Sequence, residues 1–463
     1  MRRILLMGLA LVLACSCNKN AAPAGEFTLP APQDVVMYQV NPRNFAPSES
    51  FKAVEARLPE IRDLGANVVW FMPICEIGKE KSVSSPYCVK DYCAVNPEFG
   101  TLDDFKSLVA KSHSLGMAVI MDWVANHTSW DNQWIKDHPE WYTKDEKGNI
   151  IPPAGTGWND VADLDFDNPE MRLEMIKSMS FWVNEVGVDG FRCDAADFVP
   201  FEFWKQCVEA LRAIEGKELL LLAEGQRKDH FDAGFDMNYA WGWLGALRRV
   251  YTGRMVQIEG GNRPGRNGQP RPPRMVNRKE SVATLFHADS LEYAGLGEGK
   301  VKLRFTTNHD EHVKDSPVKE FFGNDGSMAA FVATTFLHGG MLIYGCQEVG
   351  YPGKINFFEY VDVDWEANPQ MLSEYKKLVS IFSSEKAVRR GGMTPYPDED
   401  VLVFERTLDG ESILVMVNMR DTQRKIALPA PFVGKTVKNL MTGDSVTLPK
   451  ECQLRPFQYL ILK

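Results

Sequence analysis

Residues 188–224, VDGFRCDAADFVPFEFWKQCVEALRAIEGKELLLLAE, read as a strand, a helix and a second strand. VDGFRCD and LLLLAE are short apolar runs of the kind that a parallel sheet buries on both faces. Between them PFEFWKQCVEALRAIEG repeats its apolar residues at helical spacing and stops at Gly216. The unit recurs in both directions. Upstream stand VVMYQV (35–40), NVVWFMP (67–73) and AVIMDWV (118–124), and downstream FDMNYAW (235–241), KLRFTTN (302–308) and MLIYG (341–345). Amphipathic stretches at 51–65, 101–116 and 169–187, each closed by a glycine, lie between them. Eight strands in this alternation predict an α/β fold, a closed (β/α)8 TIM barrel, with its chemistry at the C-terminal ends of the strands.

Three stretches break the pattern. Residues 127–165, rich in Trp, Asp, Pro and Gly, are too long for a βα loop and predict a small inserted domain after the third strand. Residues 253–277, dense in Gly, Pro and Arg, predict a mobile loop. Beyond Lys386 the segments become short and alternating (VLVFER, SILVMVNM, DSVTL, QYLILK), as in a C-terminal antiparallel β-sandwich. The expected division is a signal peptide at 1–17, a tether at 18–32, the barrel at 33–126 and 166–388, the inserted domain at 127–165 and the C-terminal domain at 389–463.

The chain has 463 residues, 44% hydrophobic and 25% charged, enough for a large core. A formal net charge of −10 offers no basic surface for a phosphate backbone, so nucleic acid is excluded as a ligand. At the N-terminus Arg2 and Arg3 precede an apolar run from Ile4 to Ala14, too short to span a bilayer and typical of a secretory signal. It ends in VLACSC, which resembles the lipobox of bacterial lipoproteins. That resemblance implies an exported protein held to the membrane by a lipid on Cys15 or Cys17, at the periplasmic face or cell surface. The Pro- and Ala-rich segment that follows reads as a tether. Seven further cysteines are an odd number, which argues against a full disulfide framework; a bridge among Cys75, Cys88 and Cys93 is possible, and buried thiols are the default.

Polar residues gather where a barrel active site would be. Asp122, Asn126 and His127 follow the third strand, Arg192 and Asp194 end the fourth, Glu224 ends the fifth, and His309 and Asp310 follow the seventh. Singly, each carboxylate reads as well as a capping or salt-bridged residue. Jointly, four carboxylates at one mouth would be costly without a purpose.

In order and spacing these segments resemble the α-amylase family, glycoside hydrolase family 13. DWVANH, GFRCD, the Glu after the fifth strand and NHD are similar to its main signature regions, and DLDF (163–166), ANVVWFMP and GCQEVG to the weaker ones. The resemblance implies a retaining α-glycosidase that hydrolyses α-1,4 links of starch-derived glucans or malto-oligosaccharides. In it Asp194 is the nucleophile, Glu224 the general acid/base and Asp310 the transition-state stabiliser. Arg192 would hold the nucleophile ionised, His127 and His309 would bind sugar hydroxyls, Tyr87 would stack under the ring, and Asp122 would support the cluster from below. Asn126 and Asp163 match two ligands of the structural Ca2+ that many members hold, although no metal is needed for the chemistry. Where many relatives continue with Ala-Ala-Lys-His, this chain has Ala195, Ala196, Asp197 and Phe198. The basic pair is missing, so acceptor contacts should be weakened and short oligosaccharides preferred to polymer. A transglycosylase or isomerase sharing the glycosyl-enzyme, or an inactive glucan-binding lipoprotein, are the other readings; the intact carboxylates favour an enzyme.

Overall fold

The computed structural model describes residues 27–258 and 274–463. The expected signal peptide with Cys15 and Cys17, most of the tether, and the middle of the 253–277 insertion lie outside the described residues.

The eight apolar runs form eight strands: β1 (Val36–Val40), β2 (Val68–Phe71), β3 (Ala118–Trp123), β4 (Gly190–Cys193), β5 (Leu220–Ala223), β6 (Met237–Tyr239), β7 (Val301–Arg304) and β8 (Gly340–Tyr344). They close a barrel in chain order, every pair parallel, with β8 returning to β1 in the register Val36↔Met341. Buried residues in all eight explain the unbroken apolar runs, since strands covered on both faces leave no position for alternation. The helix Ser50–Leu64 stops at Gly65, whose φ of 105° only glycine adopts freely, whereas Phe201–Arg212 ends short of Gly216, with its C-cap at Ala213. At the start of β4, Gly190 has φ of 149°, and a Cβ there would run into the carbonyl of Leu220. Glycine thus lets β4 and β5, the strands that precede Asp194 and Glu224, approach closely.

The insertion after β3 is held to the barrel mouth by two short antiparallel strands, His127–Ser129 and Val161–Asp163. The stretch read as a mobile loop has ordered ends. Arg254–Ile258 and Arg274–Arg278 pair antiparallel over five residues, so its flanks are a strand ladder, which the Gly and Pro content concealed.

The C-terminal domain is a four-stranded antiparallel sheet of β9 (Gly392–Pro395), β10 (Val401–Leu408), β11 (Glu411–Asn418) and β12 (Tyr459–Leu462), with two further two-stranded pairs. Its strands are apolar on both faces. Val401, Val403, Leu414 and Met416 build a core of their own, while Leu402, Phe404, Ile413 and Val415 join the barrel's core. Arg420 bridges the two, donating to the carbonyls of Val250 (2.6 Å) and Glu280 (2.8 Å) while pairing with Asp400 (2.7 Å). Cys75, Cys88, Cys93, Cys193, Cys207, Cys346 and Cys452 are free thiols, most of them buried.

Candidate active site

At the C-terminal mouth lies a cavity of about 540 Å³, lined among others by Tyr87, His127, Trp158, Asp194, Phe198, Glu224, His309 and Asp310. Its floor is organised by one fully buried guanidinium. Arg192, on β4, places Nη1 2.7 Å from Asp122 and 2.8 Å from Asp194, and Nη2 2.8 Å from Glu224. Its Nε donates to the Tyr239 hydroxyl at 3.1 Å. The rings of Trp70, Tyr87 and Tyr239 surround it, with centroids 5.2, 5.9 and 5.6 Å from the guanidinium carbon. Burial works against the charge of Arg192, but Asp122 and Glu224 hold it firmly protonated.

The carboxyls around this cation differ. Asp122 lies deepest and accepts from Trp70 Nε1 (3.2 Å) and the Tyr87 hydroxyl (3.3 Å) as well as from Arg192. Burial pushes it up to about 7 against the pull of Arg192. Glu224 sits higher, and the Ala195 N–H donates to its Oε2 at 2.7 Å. Burial raises Glu224 well above the usual carboxylate range; Arg192 opposes this, and Asp194 and Asp310 add to it. Asp310 is the most open of the four, its side chain 39% exposed. Burial and Glu311 raise it, and Arg192 and a hydrogen bond from Glu224 draw it back. Asp194 keeps the Arg192 pair at the cavity wall. The site therefore contains one carboxyl biased toward holding a proton beside another fixed on a cation.

His309 carries the hydrogen-bond chain upward. As its ring is placed, the Gln39 amide donates to Nδ1 (2.8 Å), which leaves the proton on Nε2, 2.6 Å from the Tyr87 hydroxyl. Burial and Arg192 disfavour the protonated form of His309 and hold its pKa well below the usual histidine range. His127 is also buried and lowered. Tyr87 stacks on His309, with centroids 5.5 Å apart and planes at 18°. Every residue singled out in the sequence for catalysis or sugar binding thus contributes to one cluster.

Asn126 and Asp163 do come together, the Leu164 N–H donating to Asn126 O (3.2 Å) and His127 facing Asp163 in the ladder. The Asn126 amide nitrogen, however, lies 3.3 Å from His127 Nδ1. Ca2+ takes about six to eight oxygen ligands, whereas among the described residues no group of three or more His, Cys, Asp or Glu could hold a metal ion. No step below uses a metal ion.

The sequence reading passed over Gln39 and Tyr239, the contacts of His309 and Arg192. For Gln39 the signal was present, because it is an amide in a strand whose other residues are Val, Met and Tyr; Tyr239, beside Asn238 in a three-residue strand, carried none. It also passed over Trp158, which nothing periodic marks. The Trp158 ring lies 5.6 Å from that of Phe198 and 5.4 Å from His127. Phe198 is 58% exposed at the cavity mouth, so the position that lacks a basic residue carries half of an aromatic wall. Asp197 lines the cavity, but its oxygens accept from the backbone N–H of Gln226 (3.0 Å) and Arg227 (3.2 Å).

A parallel eight-stranded barrel whose mouth gathers Asp, Glu and Asp carboxyls around a buried arginine defines a class, the barrel glycoside hydrolases. Comparison with known proteins narrows it. Residues 39–255 match the profile "Alpha amylase, catalytic domain", and residues 393–461 match "Maltogenic Amylase, C-terminal domain". Over these residues the barrel is similar to the catalytic domain of the α-amylase family and the C-terminal sheet to that of maltogenic amylases, and the chain is a glycoside hydrolase. Alpha-amylase MalA of Haloarcula japonica is 25% identical over 435 residues, which cover 89% of this chain and 59% of that relative. Alpha-amylase 3 of Dictyoglomus thermophilum is 25% identical across 93% of both chains. The crystal structure of the maltogenic alpha-amylase AmyB from Thermotoga neapolitana superposes with a TM-score of 0.78 at 26% identity, covering 93% of this chain and 98% of that one.

Proposed function

We propose that the protein is a retaining α-glycosidase that hydrolyses α-1,4-glucosidic links in starch-derived glucans or malto-oligosaccharides. The observation that carries this reading is the single guanidinium that touches both Asp194 and Glu224. It gathers two carboxyls from adjacent strands at one cavity, and burial raises one of them, Glu224, toward holding a proton; a double displacement requires such a pair about 5 Å apart. Glu224 protonates the glycosidic oxygen while an Asp194 oxygen attacks C1. The C1–O bond to the leaving sugar breaks, and a glycosyl-enzyme forms. Glu224, now ionised, takes a proton from water as the water attacks C1 and frees Asp194. Asp310, the most open of the carboxyls, faces the positive charge of the oxocarbenium-like state. Tyr87, His127 and His309 form the polar collar for the sugar, and Trp158 with Phe198 an apolar wall on which a second ring can stack.

Ala195, the residue after the nucleophile, supports α-1,4 specificity, because relatives specific for α-1,6 links usually carry the bulkier Val there. The test is a maltotriose time course followed by NMR, with isomaltose in parallel. The α-anomer is expected first, and maltotriose is expected to turn over faster. The β-anomer appearing first would rule out the double displacement, and faster cleavage of isomaltose the linkage assignment.

Export and lipid anchoring at Cys15 or Cys17 complete the reading, resting on the VLACSC segment. Full-length protein is expected in the membrane fraction, with Cys15→Ser plus Cys17→Ser releasing it. Wild type recovered wholly soluble from fractionated cells overturns the anchor.

A further inference from the structure

The loop after Glu224 is held by the loop after Asp194 through a set of reciprocal bonds. Ala195 N–H donates to the Glu224 carboxyl (2.7 Å) and Ala196 N–H to the Glu224 carbonyl (2.9 Å). Asp197 then reaches across, accepting from Gln226 N–H (3.0 Å) through one oxygen and from Arg227 N–H (3.2 Å) through the other. Arg227 returns the contact, its guanidinium donating to the carbonyls of Asp197 (3.2 Å) and Val199 (3.1 Å) while it pairs with Asp229 (2.8 Å). Gly225 lies under the Asp197 carboxylate so closely that a Cβ there would collide with it. Ala195 itself turns through a positive φ of 44°, a conformation a non-glycine residue keeps only when its surroundings enforce it. Each strand-end loop therefore fixes the other, with the side chains of Asp197, Glu224 and Arg227 spanning the gap and Asp197 the one that accepts from two backbone N–H groups.

We propose that Asp197 is a positioning residue for the general acid: by binding the Gln226 and Arg227 amides it sets the height of Glu224 above C1 relative to Asp194. This rests on the two-carboxylate reading above. Asp197 touches neither Asp194 nor Glu224. A carboxylate accepting two backbone N–H groups makes charge-assisted bonds that an alanine cannot replace and an asparagine replaces only in part. Without them the acid loop keeps only the bonds from Ala195 and Ala196 and those of the Arg227 guanidinium, and the backbone next to Glu224 loses its two closest anchors. The consequence falls on proton donation, since a displacement well under 1 Å is enough to misalign a proton transfer.

Leaving-group dependence tests this. Asp197→Ala is expected to lower kcat/KM on maltotriose by about tenfold to a hundredfold. On 2,4-dinitrophenyl α-maltoside, whose phenolate departs without a proton, the same variant is expected within about threefold of wild type. Asp197→Asn should fall between the two, and it keeps the test alive if the alanine variant fails to fold. Equal losses on both substrates, or no loss on either, would overturn the proposal. Glu224→Gln distinguishes failure of the underlying reading: if it too shows no discrimination between the substrates, Glu224 is not the acid, and the fault lies there rather than with Asp197.

Discussion

Asp194→Asn is expected to lower kcat on maltotriose by at least about a thousandfold, with the fold unchanged. The amide keeps the size of the carboxylate and still accepts a hydrogen bond from Arg192, which now lies 2.8 Å from Asp194 Oδ1. What disappears is the charged oxygen that forms the bond to C1. Circular dichroism and a urea transition matching wild type would place the loss in the chemistry. Asp194→Ala sharpens the test, because it opens the attacking face to a small anion. With azide added, a nitrogen can bond to C1 while Glu224 protonates the departing sugar oxygen, and the β-glycosyl azide accumulates. Activity above a tenth of wild type in Asp194→Asn, or an α-azide product, would remove Asp194 from the role.

The second large effect is on stability. Arg192→Met should destabilise the protein by roughly 3–5 kcal/mol, because it removes the one cation that, among the described residues, contacts three carboxyls at the barrel mouth, while leaving them buried. The sign follows from the causes acting on each group. Arg192 pulls Asp122 and Glu224 down, against burial that pushes both up. Without it both rise further, and the variant becomes a protein that takes up protons to relieve repulsion. Its stability deficit should shrink as pH is lowered, whereas its activity should fall at every pH. Urea unfolding followed by tryptophan fluorescence, at several pH values, measures this directly. An Arg192→Met protein as stable as wild type at neutral pH would show that the three aromatic rings, and not the guanidinium, hold the floor of the site.

Much of this was legible before any coordinates. A parallel strand buried on both faces must be apolar along its length, so runs such as LLLLAE and AVIMDWV announced strands, and the polar residue that ends each run announced where the barrel opens. Asp122, Arg192, Asp194, Glu224, His309 and Asp310 were readable because strand ends fix their positions. Contacts between loops obey no such period. Nothing local distinguishes Asp197 as a ligand of two amides some thirty positions along the chain. It had been read only as the absence of a basic residue. The Trp158 and Phe198 wall joins a residue of the insertion to one after β4, and the ladder at 254–278 hides in a composition typical of loops. Pairings of this kind exist only once the chain is folded.

The order of strands around the barrel bears on how the protein comes to be folded. Asp122, Arg192, Asp194 and Glu224 belong to β3, β4 and β5 or to their ends, which are neighbours both in the chain and in the barrel. Gln39, His309 and Asp310 belong to the strands on either side of β8, and the β1–β8 seam joins opposite ends of the barrel sequence. Contacts between distant segments carry the larger loop-closure entropy and form late. A half-built barrel can therefore already have paired Arg192 with Asp122, Asp194 and Glu224 while still lacking Gln39, His309 and Asp310. Ion pairing at the floor is local in the chain, whereas completion of the mouth waits on the closing seam.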